Sequence, residues 1–392
     1  MADVSLDDFK AEVVAFLGAN AEERPAEAEF RWGSGRDTSA LFEDESPEEE
    51  LENLAVAREF RRKRFDAGLA WITGPREFGG RELTQAHERL YNSLEGRYET
   101  PPQNAFGIGL GMVAPTINAH GSDVAKSLYL KQLYRADVVG CQLFSEPGAG
   151  SDLASLQTRA VKDGDEWLIT GQKVWTSGAH YSDIGEIIAR TDPDQPKHRG
   201  LTAFIVDMRA PGVEIRPLRQ MTGGAAFNEV FFDEVRVPDD HRLGDTGQGW
   251  TVALTTLMNE RASIGGGMGG GGGAGIRRLI EMVRFYGQDK DPLVRQELMK
   301  LHIGQTIAGY TNQRAMDKVK AGQAPGPEMS LAKMSLTNNM LQTAKVVSHV
   351  LGPKLVADSG EWGTYSWGQY VVGLPGMRIA GGADEVLRNI VG

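Results

Sequence analysis

Five short β-rich runs interrupt an otherwise helical pattern, and this interruption constrains the fold more than any other feature. The runs EWLITGQKVWTS, IGEIIART, LTAFIVD, VEIRPL and NEVFFDEVRVP are separated by Gly, Pro and Asp, as in strands joined by turns. Before them, Phe9, Val13 and Phe16 recur at helical spacing, and Val294 and Leu301 do so after them. The sequence therefore predicts helices, then a sheet, then helices.

This order predicts an α+β multidomain fold with an N-terminal helical domain, a central β-domain and a C-terminal helical bundle. We place the domains at residues 1–138, 139–241 and 242–392. A chain of 392 residues is long enough for this division, because single cores seldom grow beyond about 250 residues. Ser46 and Pro47, followed by three glutamates, predict the start of one N-terminal helix.

Composition excludes several classes of protein. The net charge is -11 and no basic run appears, which argues against binding to nucleic acid or to an anionic membrane. Cys141 is the one cysteine, so an internal disulfide and a multi-cysteine zinc site are excluded, and we expect a packed core thiol. No metal site is predicted. Without a leader-like start or a long apolar run, the chain is expected to be cytoplasmic.

The stretch QLFSEPGAGSDL, from Gln142 to Leu153, combines a compact glycine turn with two hydroxyl groups. Gly150 and its small neighbours let main-chain N–H groups approach a flat or anionic ligand, and Ser145 and Ser151 can bond the edges of a ring. The stretch lacks the third glycine and the strand-helix context of a dinucleotide fingerprint. On glycine content alone, an ordinary tight turn is an equal alternative.

A second stretch, GQKVWTSGAH, begins about twenty residues downstream, at Gly171. Trp175, followed by Thr176 and Ser177 at the end of a strand, could provide an aromatic wall and two polar contacts for a planar cofactor. Taken alone, Trp175 would be read as an ordinary core aromatic.

In these two motifs, the chain resembles the acyl-CoA dehydrogenase family of FAD-dependent flavoproteins. The resemblance extends over nearly the whole length, through the ordered motifs WITGPREFGG, SEPGAGSD, GQKVWTS, GDTGQGW and GGADEVLRNIVG. It implies the same helical, β and helical domains. Only RFYG, Arg284 to Gly287, is left of the family's cross-subunit element.

The resemblance also implies where FAD binds. The implied cofactor contacts come from the first turn, the second stretch and the C-terminal segment: Gln142, Leu143, Phe144, Ser145, Gly150, Ser151, Trp175, Thr176, Ser177, Ala383 and Glu385. Ser151 is also expected at the thioester end of the substrate. In the C-terminal segment the family's usual threonine and glutamine are replaced, so side-chain contacts to the FAD diphosphate are not expected there.

The family needs a carboxylate base to remove a weakly acidic α-proton from the thioester. Many members carry it near the C-terminus, where this chain has Ala380, Gly381 and Gly382. A second subgroup, which includes isovaleryl-CoA and long-chain acyl-CoA dehydrogenases, carries it in a Glu-Arg pair early in the C-terminal domain. Glu260 and Arg261 match that pair, so we assign Glu260 as the base and Arg261 to substrate binding. A solvent-facing pair is the alternative.

A glycine run follows this pair: nine of the eleven residues from Gly265 to Gly275 are glycine. If the run is helical, nine glycines cost about 7–9 kcal/mol relative to alanine, so a compensating gain is expected. We expect Gly266 and Gly269 to line and widen an acyl pocket for a bulky, branched, aromatic or sterol-derived group. A flexible loop is the alternative.

The implied reaction is dehydrogenation of an acyl-CoA to the trans-2-enoyl-CoA, as in β-oxidation and lipid degradation. The implied partners are the acyl-CoA, an electron-transfer flavoprotein as electron acceptor, and further subunits of a homo- or heterotetramer. Two rivals stay open: a flavin oxidase or monooxygenase of the same fold, and a partner subunit of a heteromeric acyl-CoA dehydrogenase.

Overall fold

The computed structural model describes residues 4–25, 32–34, 39–41, 45–267, 275–321 and 328–392. The chain divides into two compact units. The first consists of Met1–Ala26, Glu45–Arg219 and Ala225–Asn259, and the second of Glu27–Asp44, Gln220–Gly224 and Glu260–Gly392.

The N-terminal part of the first unit is helical. Its helices are α1 Leu6–Asn20, α2 Pro47–Asp66, α3 Gln85–Glu95, α4 Ala114–His120 and α5 Asp123–Arg135. Phe9 and Val13 of α1 are fully buried, as their spacing predicts. Ser46 caps α2 through a reciprocal pair of hydrogen bonds with Glu49, and Pro47 takes the first helical position, so this predicted helix start is confirmed.

A mixed sheet forms most of the rest of the first unit, which also contains the short pair β1 Glu22–Glu23 and β2 Tyr98–Glu99. Its strands are β3 Gly140–Leu143, β4 Arg159–Asp163, β5 Glu166–Ser177, β6 Ile184–Arg190, β7 Leu201–Asp207, β8 Val213–Leu218, β9 Phe227–Pro238 and β10 Arg242–Leu243. The order is β10-β7-β6-β4-β5-β9-β8, with β3 paired to β6. All five β-rich runs are strands, which confirms the predicted sheet.

The short strand β3 delivers the first candidate motif to one face of this sheet. It runs parallel to β6, in a register that places Gln142 beside Glu186. A π-helical turn, Gly109–Val113, leads into α4 and packs closely on β3. A Cβ on Gly109 would lie 3.1 Å from the backbone nitrogen of Gly140, so glycine permits this close approach. Cys141 faces the opposite side and is fully buried, as predicted for a core thiol.

Long helices make up most of the second unit, and α6 crosses from the first unit into it. These helices are α6 Gly249–Gly267, α7 Ile276–Phe285, α8 Pro292–Lys320, α9 Glu328–Leu351, α10 Tyr365–Ile379 and α11 Asp384–Val391. Val294 and Leu301 of α8 lie in the core of this unit, as predicted. The order of helices, sheet and helices is therefore confirmed. No helix within the described residues is long and apolar enough to span a bilayer.

Candidate functional site

The first candidate stretch leaves the sheet at the end of β3 and turns sharply. Glu146 and Ala149 exchange backbone hydrogen bonds of 2.9 and 3.1 Å, which close a tight turn. Gly150 and Ser151 follow and are exposed. A Cβ on Gly148 or Gly150 would meet no atom within 4 Å, so the turn borders open space. This arrangement leaves its main chain accessible to a ligand.

A buried ion pair fastens this turn to β5. Lys173 is fully buried and donates hydrogen bonds to the Glu146 carboxylate at 2.9 Å and to the Phe144 carbonyl at 3.0 Å. The carboxylate also accepts the backbone N–H groups of Gln157 and Thr158, at 2.6 and 2.9 Å. Both charges therefore have several partners, which buried charges require.

The protonation of this pair follows from burial and mutual attraction. Burial lowers the pKa of Lys173 to about 8, and the attraction to Glu146 opposes the shift. Burial alone would raise the pKa of Glu146, but the Lys173 charge and the two backbone N–H groups hold it below its ordinary value. The turn is thus fixed by a carboxylate that stays ionised at neutral pH.

One backbone hydrogen bond brings the two candidate motifs together. The Val174 N–H of β5 donates to the Ser145 carbonyl of the turn at 2.8 Å. Trp175 therefore follows directly after a residue that is bonded to the first motif. The two stretches form one continuous surface in space, although about twenty residues separate them in sequence.

Trp175 has an unusual backbone and an exposed ring. Its φ is +62°, in the left-handed region that large side chains rarely adopt, and the β5–β9 register shifts between Lys173 and Thr176. The side chain is 57% exposed and meets Phe227 edge-on, with ring centroids 6.0 Å apart. Because strain of this kind concentrates at ligand sites, the geometry favours Trp175 as a binding surface over a core aromatic.

Thr176 points away from the surface that Trp175 occupies. Its side chain is buried and its hydroxyl has no hydrogen-bond partner within the part of the chain that the structure describes, whereas Ser177 is half-buried. Asn228 of β9 donates to the Thr176 carbonyl at 3.1 Å and lies 3.1 Å from His180 Nδ1. Side chains alternate along a strand. We therefore expect Trp175 and Ser177, and not the Thr176 hydroxyl, to offer side-chain contacts.

These residues fit the flavin that the sequence predicts. The exposed Trp175 ring can contact a planar ligand, and the open space beside Gly150 admits one. Ser151 is exposed, and Ser145 and Ser177 are half-buried, so their hydroxyls can reach a ligand at this surface. Gln142 is half-buried, whereas Leu143 and Phe144 are buried and contribute backbone groups instead.

The predicted base lies on α6. Glu260 and Arg261 are both half-buried, and the Arg261 Nε is enclosed without a hydrogen-bond acceptor within the described ranges. Gly266 belongs to the last turn of the same helix. Gly269, the other glycine predicted to line the pocket, lies outside the described residues.

The C-terminal turn contains no acid where many relatives carry their base. It links α10 to α11 through Ala380, Gly381 and Gly382, and the two glycines have φ values of +67° and +99°. Ala383 then caps α11, and Glu385 is exposed in its first turn. This turn offers no side chain for proton abstraction.

Asp384, the nearest acid after this turn, is buried and fully engaged. It accepts hydrogen bonds from Lys333 at 3.3 Å, from Thr337 at 3.2 Å and from the Arg378 Nε at 3.1 Å. Burial alone would raise its pKa, but Arg378 and Lys333 hold the pKa below its ordinary value. A carboxylate with so many donors is a poor base, and it serves instead to fix the turn.

Sequence reasoning missed the residues that support the site. Lys173 and Glu146 stand inside the two quoted motifs, and a charged residue in the middle of a buried strand was a usable signal. Lys333 gave no such signal, because its partners lie about fifty residues away. It donates to the carbonyls of Arg378 and Gly382 at 3.0 and 2.9 Å.

Comparison with known families agrees with this architecture. Three family models match in order: the acyl-CoA dehydrogenase N-terminal domain over residues 38–137, the middle domain over 141–235 and the C-terminal domain over 247–392. The acyl-CoA dehydrogenase IpdE1 of Mycobacterium tuberculosis is 34% identical over 399 residues, which is 100% of this chain and 97% of that protein. The chain belongs to the acyl-CoA dehydrogenase family. It is thus an FAD-binding oxidoreductase that acts on acyl-CoA.

Solved structures share the fold along the whole chain. A variant of the Tcur3481-Tcur3483 steroid ACAD has a TM-score of 0.73 and 25% identity, and the match covers 98% of this chain and 96% of that one. The ChsE4-ChsE5 complex from Mycobacterium tuberculosis has a TM-score of 0.71 and 24% identity, over 100% and 97%.

Replacing Lys173 by Met tests the ion pair. The variant leaves the Glu146 carboxylate buried without its cation, and we expect a loss of about 3–5 kcal/mol in the free energy of unfolding. The double variant Lys173→Met/Glu146→Gln should be more stable than the single one, because the neutral amide can still accept a backbone N–H. Denaturant unfolding measures both, with exposed Lys162→Met as the control. A double variant no more stable than Lys173→Met would contradict the assignment.

Proposed function

We propose that this chain dehydrogenates an acyl-CoA between its α and β carbons, with Glu260 as the base. The main support is the distribution of carboxylates: α6 carries a half-buried glutamate in a Glu-Arg pair, whereas the C-terminal turn has none. Asp384 already accepts hydrogen bonds from Lys333, Thr337 and Arg378. On this proposal, the chain is a member of the subgroup whose base lies early in the C-terminal domain.

The reaction assigns separate tasks to the residues of the chain. Glu260 takes the α-proton, and the β-hydrogen leaves with its electron pair as the double bond forms. When bound, FAD supplies the two-electron acceptor chemistry for that hydride. The exposed main-chain N–H groups and the hydroxyl of Ser151 hold the thioester end, and Arg261 stabilises the bound acyl-CoA.

We assign the flavin contacts to the surface built by the two joined motifs. Gln142, Ser145 and Ser151 provide polar contacts from the turn, while Trp175 and Ser177 provide an aromatic wall and a hydroxyl from β5. Leu143, Phe144, Gly150 and Thr176 contribute through their backbones. Ala383 and Glu385 approach the diphosphate through the N-terminal end of α11, where backbone N–H groups favour an anion.

Trp175→Ala tests the aromatic wall. Alanine keeps the Cβ and therefore most of the left-handed backbone strain, so the change isolates the ring. We expect the dissociation constant of FAD to rise about tenfold, because an aromatic contact contributes about 0.5–1.5 kcal/mol beyond the area it buries. Trp175→Phe should lose much less affinity for FAD. Fluorescence titration of the FAD-free protein measures both, and unchanged affinity in Trp175→Ala would remove the ring from the site.

Glu260→Gln tests the base. We expect FAD and acyl-CoA binding to persist while anaerobic bleaching of the flavin by substrate slows by about 10²–10⁴-fold, the usual contribution of a general base. Glu281→Gln is the control, because Glu281 is also a half-buried glutamate on a helix of the second unit. A fall of less than tenfold would exclude Glu260 as the base. In the same assay, reduced flavin that reoxidises at once in air would indicate an oxidase.

We further propose that the acyl group is bulky and sterol-derived. Gly265–Gly267 form the end of α6, downstream of Glu260 on the same helix, and the absence of Cβ atoms there makes room for a broad group. One structure with the same fold is named a steroid ACAD. Gly275 lies outside the helices as the N-cap of α7.

A panel of straight-chain and polycyclic acyl-CoAs tests this substrate class. The natural protein should have the higher kcat/KM for polycyclic substrates, and Gly266→Val should reduce that value selectively, because a β-branched side chain narrows the space beside the helix. Gly18→Val is the control for valine in an exposed helix, since its Cβ would meet no atom within 4 Å. A preference for straight chains that Gly266→Val leaves unchanged would rule out the wide pocket.

We also propose that the chain works in an oligomer with a second chain of the same fold, in the cytoplasm, and passes electrons to an electron-transfer flavoprotein. An apolar stripe on α8 supports the oligomer: Met299, Ile303, Ile307 and Tyr310 are 52%, 50%, 57% and 71% exposed at helical spacing. The ChsE4-ChsE5 structure is described as a complex of two proteins. Sedimentation velocity of the natural protein and of Ile307→Glu would show whether this stripe is covered.

A further inference from the structure

Glu186 is a fully buried carboxyl group that the proposed reaction does not use. It lies on β6 and shares a sheet face with Ile184 and Ile188, since side chains alternate along a strand. These isoleucines belong to an apolar cluster that includes Val252 of α6. No ion pair to Glu186 exists among the described residues, and its Oε2 has no hydrogen-bond partner there. A carboxyl group in such surroundings is costly unless it is neutral.

A chain of hydroxyl groups connects Glu186 to two helices. Glu186 Oε1 lies 2.6 Å from the Thr256 Oγ1 of α6. Thr256 Oγ1 lies 2.9 Å from the Thr116 Oγ1 of α4, and Thr116 lies 2.8 Å from the Met112 carbonyl. The chain therefore ties β6, α6 and α4 together inside the apolar cluster.

The surroundings of Oε2 favour the neutral acid. If Glu186 is neutral, a proton on Oε1 can be donated to Thr256, which can then donate to Thr116 or to the Val252 carbonyl, 3.3 Å away. If Glu186 is ionised, Oε2 becomes a buried anionic oxygen with no donor. Burial raises the pKa of Glu186 to about 8, although the Thr256 hydroxyl opposes the shift. Burial and the unpartnered Oε2 therefore both favour the protonated form.

Ionisable groups also lie on the elements packed against this network. On α4, His120 Nε2 lies 2.8 Å from the Thr255 hydroxyl of α6. On β7, Asp207 stands beside Ile184, at the far end of the β6–β7 ladder. On β3, Cys141 lies in the core on the other face of the sheet. The next charged group along α6 is Glu260, four residues after Thr256.

The position of Thr256 connects this network to the proposed base. Residues four apart share one face of a helix and are separated by about 6 Å along its axis, so Glu260 lies one turn beyond Thr256 on the same side of α6. Glu186 also stands beside Gln142 in the parallel β3–β6 ladder. The network therefore connects α6, which carries Glu260, to β6, which pairs with the strand that leads into the first motif.

We propose that Glu186, as a buried neutral acid, is a positioning residue that anchors α6 through Thr256 and so fixes Glu260 for proton abstraction. This role rests on the proposed function of Glu260. The protonation state of Glu186 does not depend on the proposed function, and it is tested separately.

The first experiment measures whether Glu186 is neutral in the folded protein. The holoenzyme and its Glu186→Gln variant are unfolded in denaturant between pH 5.5 and 7.5. In this window the unfolded glutamate is ionised while the folded one is protonated. The unfolding constant of the natural protein should therefore rise about tenfold per pH unit relative to that of Glu186→Gln.

Two further variants make this result decisive. Ile188→Ala removes packing on the same strand face and should follow the pH dependence of the natural protein. Glu186→Met replaces Glu186→Gln if the amide variant does not fold, and it should show the same relative slope. A Glu186→Gln or Glu186→Met profile parallel to that of the natural protein would show that Glu186 is ionised, and would overturn the proposal.

The second experiment tests positioning through Thr256. Thr256→Val removes the hydroxyl at nearly constant volume, and we expect flavin bleaching at saturating acyl-CoA to slow about tenfold while KM and FAD affinity change less than twofold. Thr256→Ser keeps the hydroxyl and should retain most of the rate. Equal rates in the valine and serine variants would overturn the positioning role. Failure of the natural protein to bleach with any acyl-CoA would instead contradict the proposed function.

Discussion

The rest of the site depends on the buried pair of Lys173 and Glu146. The pair holds the turn against β5, and the Val174–Ser145 backbone bond extends this attachment by one residue, to the point where Trp175 turns outward. A left-handed backbone at a large residue persists only where its surroundings over-determine it. The ion pair supplies that constraint, because its two charges cannot separate without leaving one of them unpaired in the interior.

A second buried ion pair, between Lys333 and Asp384, has a similar role in the second unit. Lys333 and Arg378 neutralise Asp384, and Lys333 also donates to the carbonyl of Arg378, before the glycine turn, and to that of Gly382, within it. The two pairs fix different elements. Lys173 and Glu146 fix the turn to β5, whereas Lys333 and Asp384 fix the junction between α10 and α11. In both, a buried lysine donates to backbone carbonyls as well as to a carboxylate. Its charge is therefore used to fix a main-chain conformation.

Sequence reasoning reached the fold because its two signals are local. The β-rich composition of LTAFIVD and the helical spacing of Val294 and Leu301 can be read without any knowledge of contacts, and both are confirmed. The domain boundaries and the roles of Glu260 and the flavin contacts stay predictions. The hydroxyl chain from Glu186 to Thr116 could not have been predicted, since it joins residues far apart in sequence. The inward orientation of Thr176 was likewise hidden, because the bulge before it changes the register of β5.

The geometry of the C-terminal turn gives a physical reason why the base should lie elsewhere. Gly381 has a φ of +67°, in the left-handed region, and a glutamate at this position would carry a backbone penalty of roughly 1–2 kcal/mol. Lys333 orders the turn by donating to the Gly382 carbonyl and to the Asp384 carboxylate. A base placed there would have to work against the same contacts that order the turn. A regular helix such as α6 imposes no such cost, and it can carry Glu260 at a fixed distance from its anchor at Thr256.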